Sequence, residues 1–237
     1  MSREIKQDFN KLVQFISQYN LLALESNKDF LEILNKQQKK YFAYLTYIAE
    51  IQNYVGDMSF SPSISHTQFS YVKESCSDVG LALFMSFNGG YKASKLLLRS
   101  SIETFLKGFT LDSLPTISEE TSMYELFKQV RSLPFFNNDV NKKIINHIHN
   151  KYKLLCKDVH TATNINMANI SSLNYFPSFN KTNADQISDF TLGLISDYLS
   201  LLILKYNSQY HKMHYKNKAI IIDTIPKKIR PLINNAE

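Results

Sequence analysis

Apolar residues recur along most of this chain at steps of three and four, the period of a helix with one buried face. Ile5, Phe9, Leu12, Val13, Ile16 and Tyr19 form one such stripe and predict a helix over about 3–24. Asn27-Lys28-Asp29 interrupts it. Phe30, Ile33, Leu34, Tyr41, Leu45, Ile48 and Ile51 then predict a second helix from about Asp29 to Tyr54. Gly56 closes that helix, and residues 57–67, with Pro62 and several Ser, read as a packed surface loop. A third helix is expected over about 68–87. Asn88-Gly89-Gly90 stops it, because Gly takes the left-handed conformation that closes a helix.

The fourth helix, about 91–111, is the most apolar stretch so far, with Leu98, Ile102, Phe105, Leu106 and Phe109 on its inner side. The rest of the chain reads as organised around it. Pro115 marks a linker over 112–121, and a short helix over about 122–133 ends before Pro134. Ile144, Ile148, Tyr152, Leu155 and Val159 carry a helix over about 138–159. Residues 162–182, rich in Asn and Ser, show no period and form a long loop of the kind that often borders a site. An amphipathic pattern resumes over about 184–209. Past Tyr210 a basic connection leads to Ala219-Ile220-Ile221-Ile222, a run that suits a strand but has no second strand to pair with.

Nearly every segment is therefore helical, and the expected architecture is a single all-α domain, a helix bundle. Within it, 1–60 is an N-terminal helical hairpin, 68–209 the core, and 210–237 a C-terminal segment. No repeat of 20–50 residues is present.

Composition is that of an ordinary globular chain, 44% hydrophobic and 20% charged. No run of eighteen uncharged apolar residues occurs and the first residues lack the apolar core of a signal peptide, so no membrane association and a cytoplasmic location are expected. Cys76 and Cys156 stand far apart and suggest neither a disulfide framework nor a zinc cage. The net charge of +6 is uneven. From Lys205 onward seven basic residues face Asp223 and Glu237, which leaves the preceding chain nearly neutral. That segment permits contact with a polyanion, and a solvated basic tail is the plainer reading.

Chemistry-bearing patterns are few. His147 and His149 project about 200° apart on a helix and cannot share a metal, so both read as core or surface residues. Gly89-Gly90 lacks the spacing and preceding strand of a phosphate loop, and no His-Glu-x-x-His or Gly-x-Ser-x-Gly is present. Neither a metal nor a cofactor is expected. Two features stand out. Among 27 basic residues only Arg3, Arg99, Arg131 and Arg230 are arginine, and Arg99 lies in the most apolar helix. There it stands four residues before Glu103, at ion-pair spacing. His160 follows Tyr152 and Cys156 at four-residue steps and ends its helix, where the dipole favours an imidazolium suited to acid–base work. Asp158 is close enough to tune that neighbourhood. Helix capping is the plainer role for His160.

The stretch Gly89-Gly90-Tyr91-Lys92-Ala93-Ser94-Lys95-Leu96-Leu97-Leu98-Arg99-Ser100-Ser101-Ile102-Glu103, followed by Tyr152-Lys153-Leu154-Leu155-Cys156-Lys157-Asp158-Val159-His160-Thr161, resembles HEPN-type helical proteins of bacteria. The resemblance covers about 68–205. It implies a helical bundle, frequently a homodimer, of the kind found in metal-independent ribonucleases of toxin and antiphage systems and in their inactive binding relatives. The family's ribonuclease motif is Arg, four to six residues, then His. At the longest spacing from His160 this chain has Lys153, so either Arg99 supplies the guanidinium from a neighbouring helix or the site is inactive. In the catalytic reading His160 is the general acid or base and Arg99 holds the phosphorane oxygens. Glu103 orients Arg99 or His160, while Tyr152, Lys153, Lys157 and Asp158 bind RNA or support the site. In the other reading the chain is a non-catalytic module, antitoxin-like or a subunit of a defence complex with a regulatory protein partner. Arg99, Glu103 and His160 are then a buried polar network.

Overall fold

A computed structural model describes residues 26–159 and 172–234, with positions 10, 14, 18–20 and 24 before them. Most of the expected helix over 3–24 lies outside the described residues, as do His160 and the expected loop as far as residue 171. Among the described residues the protein is all-α, and its one strand-like contact is an isolated bridge between Val55 and Ile64.

Helix starts follow from local polar chemistry. Asn27 caps α1 (Lys28–Ile51), its side chain accepting from Phe30 N at 3.0 Å. Ser65 and Gln68 form a reciprocal capping box at the start of α2 (His66–Phe87), satisfying two backbone donors at once. Gly89, at φ +83°, turns the chain between α2 and α3 (Tyr91–Thr110). A side chain there is excluded twice, by that backbone conformation and by the Ser178 carbonyl, 2.6 Å from where a Cβ would stand. Ser122 caps α4 (Met123–Ser132), which stops before Pro134. Asn138 then accepts from Asn141 N at 2.8 Å as α5 (Asp139–Val159) begins.

Helix α6 (Lys181–Lys205), capped by Asn180, is the axis of the bundle. Every side chain from Leu194 to Ile203 is buried, because α1, α3 and α5 all pack on it. The expected amphipathic pattern is corrected by this burial, while α3, the expected organising helix, packs on α2, α5 and α6. The pattern is apolar around most of the circumference, as a central helix requires. Ser196 and Ser200 are accommodated by bonding back to the carbonyls four residues earlier. Tyr198 stacks on Phe105 of α3 with ring centres 4.0 Å apart and shares a 3.1 Å hydrogen bond with Ser101, locking α3 to α6. Among the described residues α6 is the one helix long and apolar enough to cross a membrane, and 72% of its most apolar window is buried inside the protein.

The helix expected to reach residue 209 breaks at Tyr206, and α7 (Asn207–Lys212) follows it. The Ile run expected as a possible strand is helical, α8 (Tyr215–Ile222), and α9 (Arg230–Asn234) closes the described chain. Ile221, Ile225, Ile229 and Ile233, on these helices and the turn between them, are all buried. The basic C-terminal segment is thus docked by its apolar side, with Lys212, Lys216, Lys227 and Lys228 exposed.

Candidate functional site

The side of α5 that carries His149, Tyr152, Lys153 and Cys156 is met by two arginines from different helices. Arg99 of α3 donates from Nη2 to the Tyr152 hydroxyl at 3.0 Å, and its guanidinium carbon lies 5.2 Å from the centre of that ring. The Cys156 sulfur is also within its hydrogen-bonding reach. Arg131 of α4 reaches Nδ1 of His149 and lies over Phe127, 5.6 Å from the ring centre. Phe127 joins the two halves, with ring centres 4.2 Å from His149 and 5.7 Å from Tyr152. The result is a continuous strip from Arg131 through His149, Phe127 and Tyr152 to Arg99.

Protonation states follow from these contacts. A guanidinium only donates, so Nδ1 of His149 accepts from Arg131 and its proton sits on Nε2. Burial, then the charges of Arg131 and Lys153, push the His149 imidazole down to about 4, so it is neutral near pH 7. Burial, then Cys156, pushes the Tyr152 phenol up to about 12 against the opposing effect of Arg99. It therefore keeps its proton and accepts the arginine through its lone pairs. The Nε donors of Arg99 and Arg131 are both buried with no hydrogen-bond partner, which carries a desolvation cost.

Glu103 does not pair with Arg99, as its spacing predicted. It binds Lys107 one turn further along, at 3.0 Å, because the arginine is drawn across to α5. The role of orienting Arg99 thus passes from Glu103 to Tyr152. Lys153 and Lys157 are exposed on α5, and Tyr152 is half-buried. His160 and the side chain of Asp158 lie outside the described residues. The sequence named Arg131 only among the four arginines, read His149 as a core or surface residue and did not single out Phe127, although the scarcity of arginine was a usable signal for the first. Among the described residues no three His, Cys, Asp or Glu side chains group closely enough to hold a metal ion. Comparisons with protein-family models, with curated proteins and with solved structures found no match.

Proposed function

We propose that this chain is a HEPN-like protein that cleaves RNA without a metal ion, in the manner of a toxin or antiphage effector. The observation that carries the reading is the delivery of Arg99 and Arg131, from two helices, to one side of α5. Two planar guanidinium groups suit the holding of phosphate oxygens, where lysine offers only a point charge.

Cleavage begins when a ribose 2′-hydroxyl loses its proton to a base and its oxygen attacks the adjacent phosphorus. The phosphorane gathers negative charge, which Arg99, Arg131 and Lys153 neutralise. The P–O bond to the next nucleotide then breaks and its 5′-oxygen takes up a proton. His160, four residues beyond Cys156 in the sequence, is the candidate acid or base for these transfers. Neutral His149 is a hydrogen-bond donor through Nε2–H rather than a charge. Two chains related by a two-fold axis give one longer cationic groove, flanked by the docked basic segment. Leu96 on α3 and Leu154 on α5, both exposed on the helices of the site, favour such a contact.

The test is RNA cleavage in the presence of a chelator by wild type, Arg99→Ala and His160→Ala. Each substitution is expected to reduce the rate by about a hundredfold or more. Equal activity in all three, or none in any, sinks the catalytic assignment. The inward hydrogen bonds of Arg99 favour a second reading, a non-catalytic RNA-binding or regulatory module in which the pair only fixes α3 on α5. RNA retained on the wild type without cleavage selects it.

A further inference from the structure

His147 projects from α5 away from His149 and meets a different neighbourhood. Its Nδ1 is 2.6 Å from Oδ2 of Asp197 on α6, which is 8% exposed, whereas the imidazole is half-exposed. One turn along α5, Lys151 donates to the Asp189 carbonyl at 3.2 Å and lies over the Phe190 ring. Gly193 makes room for it: a Cβ there would stand 2.5 Å from Lys151 Nζ and 3.6 Å from His147 Cε1. Lys40 of α1 arrives from another side and donates to the Ser196 hydroxyl and, at 2.9 Å, to the Thr224 carbonyl. His147, Lys151 and Lys40 all act electrostatically on Asp197.

One buried carboxylate thus binds an imidazole directly and feels the charge of two ammonium groups bonded to nearby atoms of α6 and of Thr224. Asp189 near Lys151 adds a negative charge, but Lys39 and Arg230 near Lys40 add two positive ones, so the excess is cationic. Donors are in excess as well. Asp197 occupies Nδ1 of His147, which leaves Nε2 on the exposed side. Lys151 spends one of its three N–H bonds on a carbonyl, and Lys40 spends two. Burial holds both lysines below their usual range, an energetic penalty that an anion lifts.

We propose that His147, Lys151 and Lys40, anchored by Asp197, bind a phosphate dianion, the terminal phosphate of a mononucleotide or of an RNA end, at a site separate from the Arg99 strip. A tetrahedral dianion presents oxygens to all three side chains at once and takes up the excess charge.

Isothermal titration of the full chain with inorganic phosphate and with AMP, at pH 6.5 and low salt, tests this without reading RNA cleavage. Saturable binding is expected, weakened about tenfold or more by Lys151→Gln and by His147→Gln, since each removes a charge-assisted hydrogen bond. Lys128→Gln, an exposed lysine of α4 outside both sites, is expected to leave it within about twofold. A 5′-phosphorylated RNA oligonucleotide, compared with its 5′-hydroxyl twin and with AMP, separates the sources: tighter binding of the phosphorylated RNA assigns RNA ends, and equal or tighter AMP assigns mononucleotides. Failure of both phosphate and AMP to saturate by about 20 mM overturns the proposal. So does wild-type affinity in Lys151→Gln with loss in Arg99→Ala. Circular dichroism checks folding, and Lys40→Gln replaces any variant that unfolds.

Discussion

Arg99 and Tyr152 are 53 residues apart in the chain, yet one guanidinium nitrogen donates to the tyrosine hydroxyl at 3.0 Å while the same group lies over the ring. The pair couples α3 to α5 by a charge-assisted hydrogen bond and a cation–π contact together.

That coupling has a measurable energy. Tyr152→Phe removes the acceptor and is expected to cost about 1–2 kcal/mol in urea unfolding, since it leaves a half-buried charge short of a partner. In a double-mutant cycle with Arg99→Met the pair is expected to couple by about 1 kcal/mol. Additivity to within about 0.3 kcal/mol rejects the interaction as a source of stability.

Stability is also expected to fall on acidification because of His149. Its folded value, about 4, lies below the ordinary 6.5, so the unfolded chain binds the proton more readily. The contribution is whole above about pH 6.5, declines as pH falls toward 4, and is gone below that. Discounted for solvent screening, since the ring is only partly buried, it amounts to about 1–2 kcal/mol. His149→Gln should flatten this part of the profile, and an unchanged slope between pH 6.5 and 4 speaks against the assignment.

At the far ends of α3 and α6, Lys205 binds Asp112 at 2.6 Å, beside a cavity of about 250 Å³ lined by Pro62, Leu133, Phe135 and Leu204. The lysine is buried and Asp112 is partly exposed, so the two halves are not equivalent. Asp112→Ala leaves the buried ammonium its Phe109 carbonyl but no counter-charge, and is expected to cost about 2 kcal/mol. Lys205→Met keeps the apolar stem and lets the carboxylate turn to water, for about 1 kcal/mol or less. Guanidinium unfolding of the two variants tests the order, and the reverse order contradicts it.

Two glycines should differ in the size of their response to alanine. Gly89→Ala meets the Ser178 backbone and a left-handed φ, and is expected to lose about 2 kcal/mol or more. Gly193→Ala meets only the movable end of Lys151 within α6, and the helix propensity of alanine offsets that shift. Its stability should stay within about 1 kcal/mol of wild type. Thermal melts of both proteins make the comparison, and a larger loss at Gly193 means that Lys151 is held more rigidly than its contacts imply.

Much of the helical layout was legible because it is written at short range. The stripe through Leu98, Ile102, Phe105 and Phe109, the break at Gly89 and the stop at Pro134 each depend on residues within a few positions of one another. The packing of the Arg99 helix on the Tyr152–Cys156 side and the hydrogen bond between them come from the tertiary structure. Glu103 stood at ion-pair spacing, and nothing local announced that Arg99 would reach across to Tyr152 and leave Glu103 to Lys107.

By itself the sequence determined that the chain makes helices, where most of them begin and end, and that its few arginines are placed sparingly. Periodicity reports which side of a helix is apolar and is silent about what covers it. Only the tertiary structure therefore decided that α6 is the axis, that buried Ile residues dock the basic segment as short helices, and that Arg131 meets His149. The pairing of His147 with Asp197 belongs there too. It joins side chains 50 residues apart, and only the packing of α5 on α6 brings them within hydrogen-bond distance.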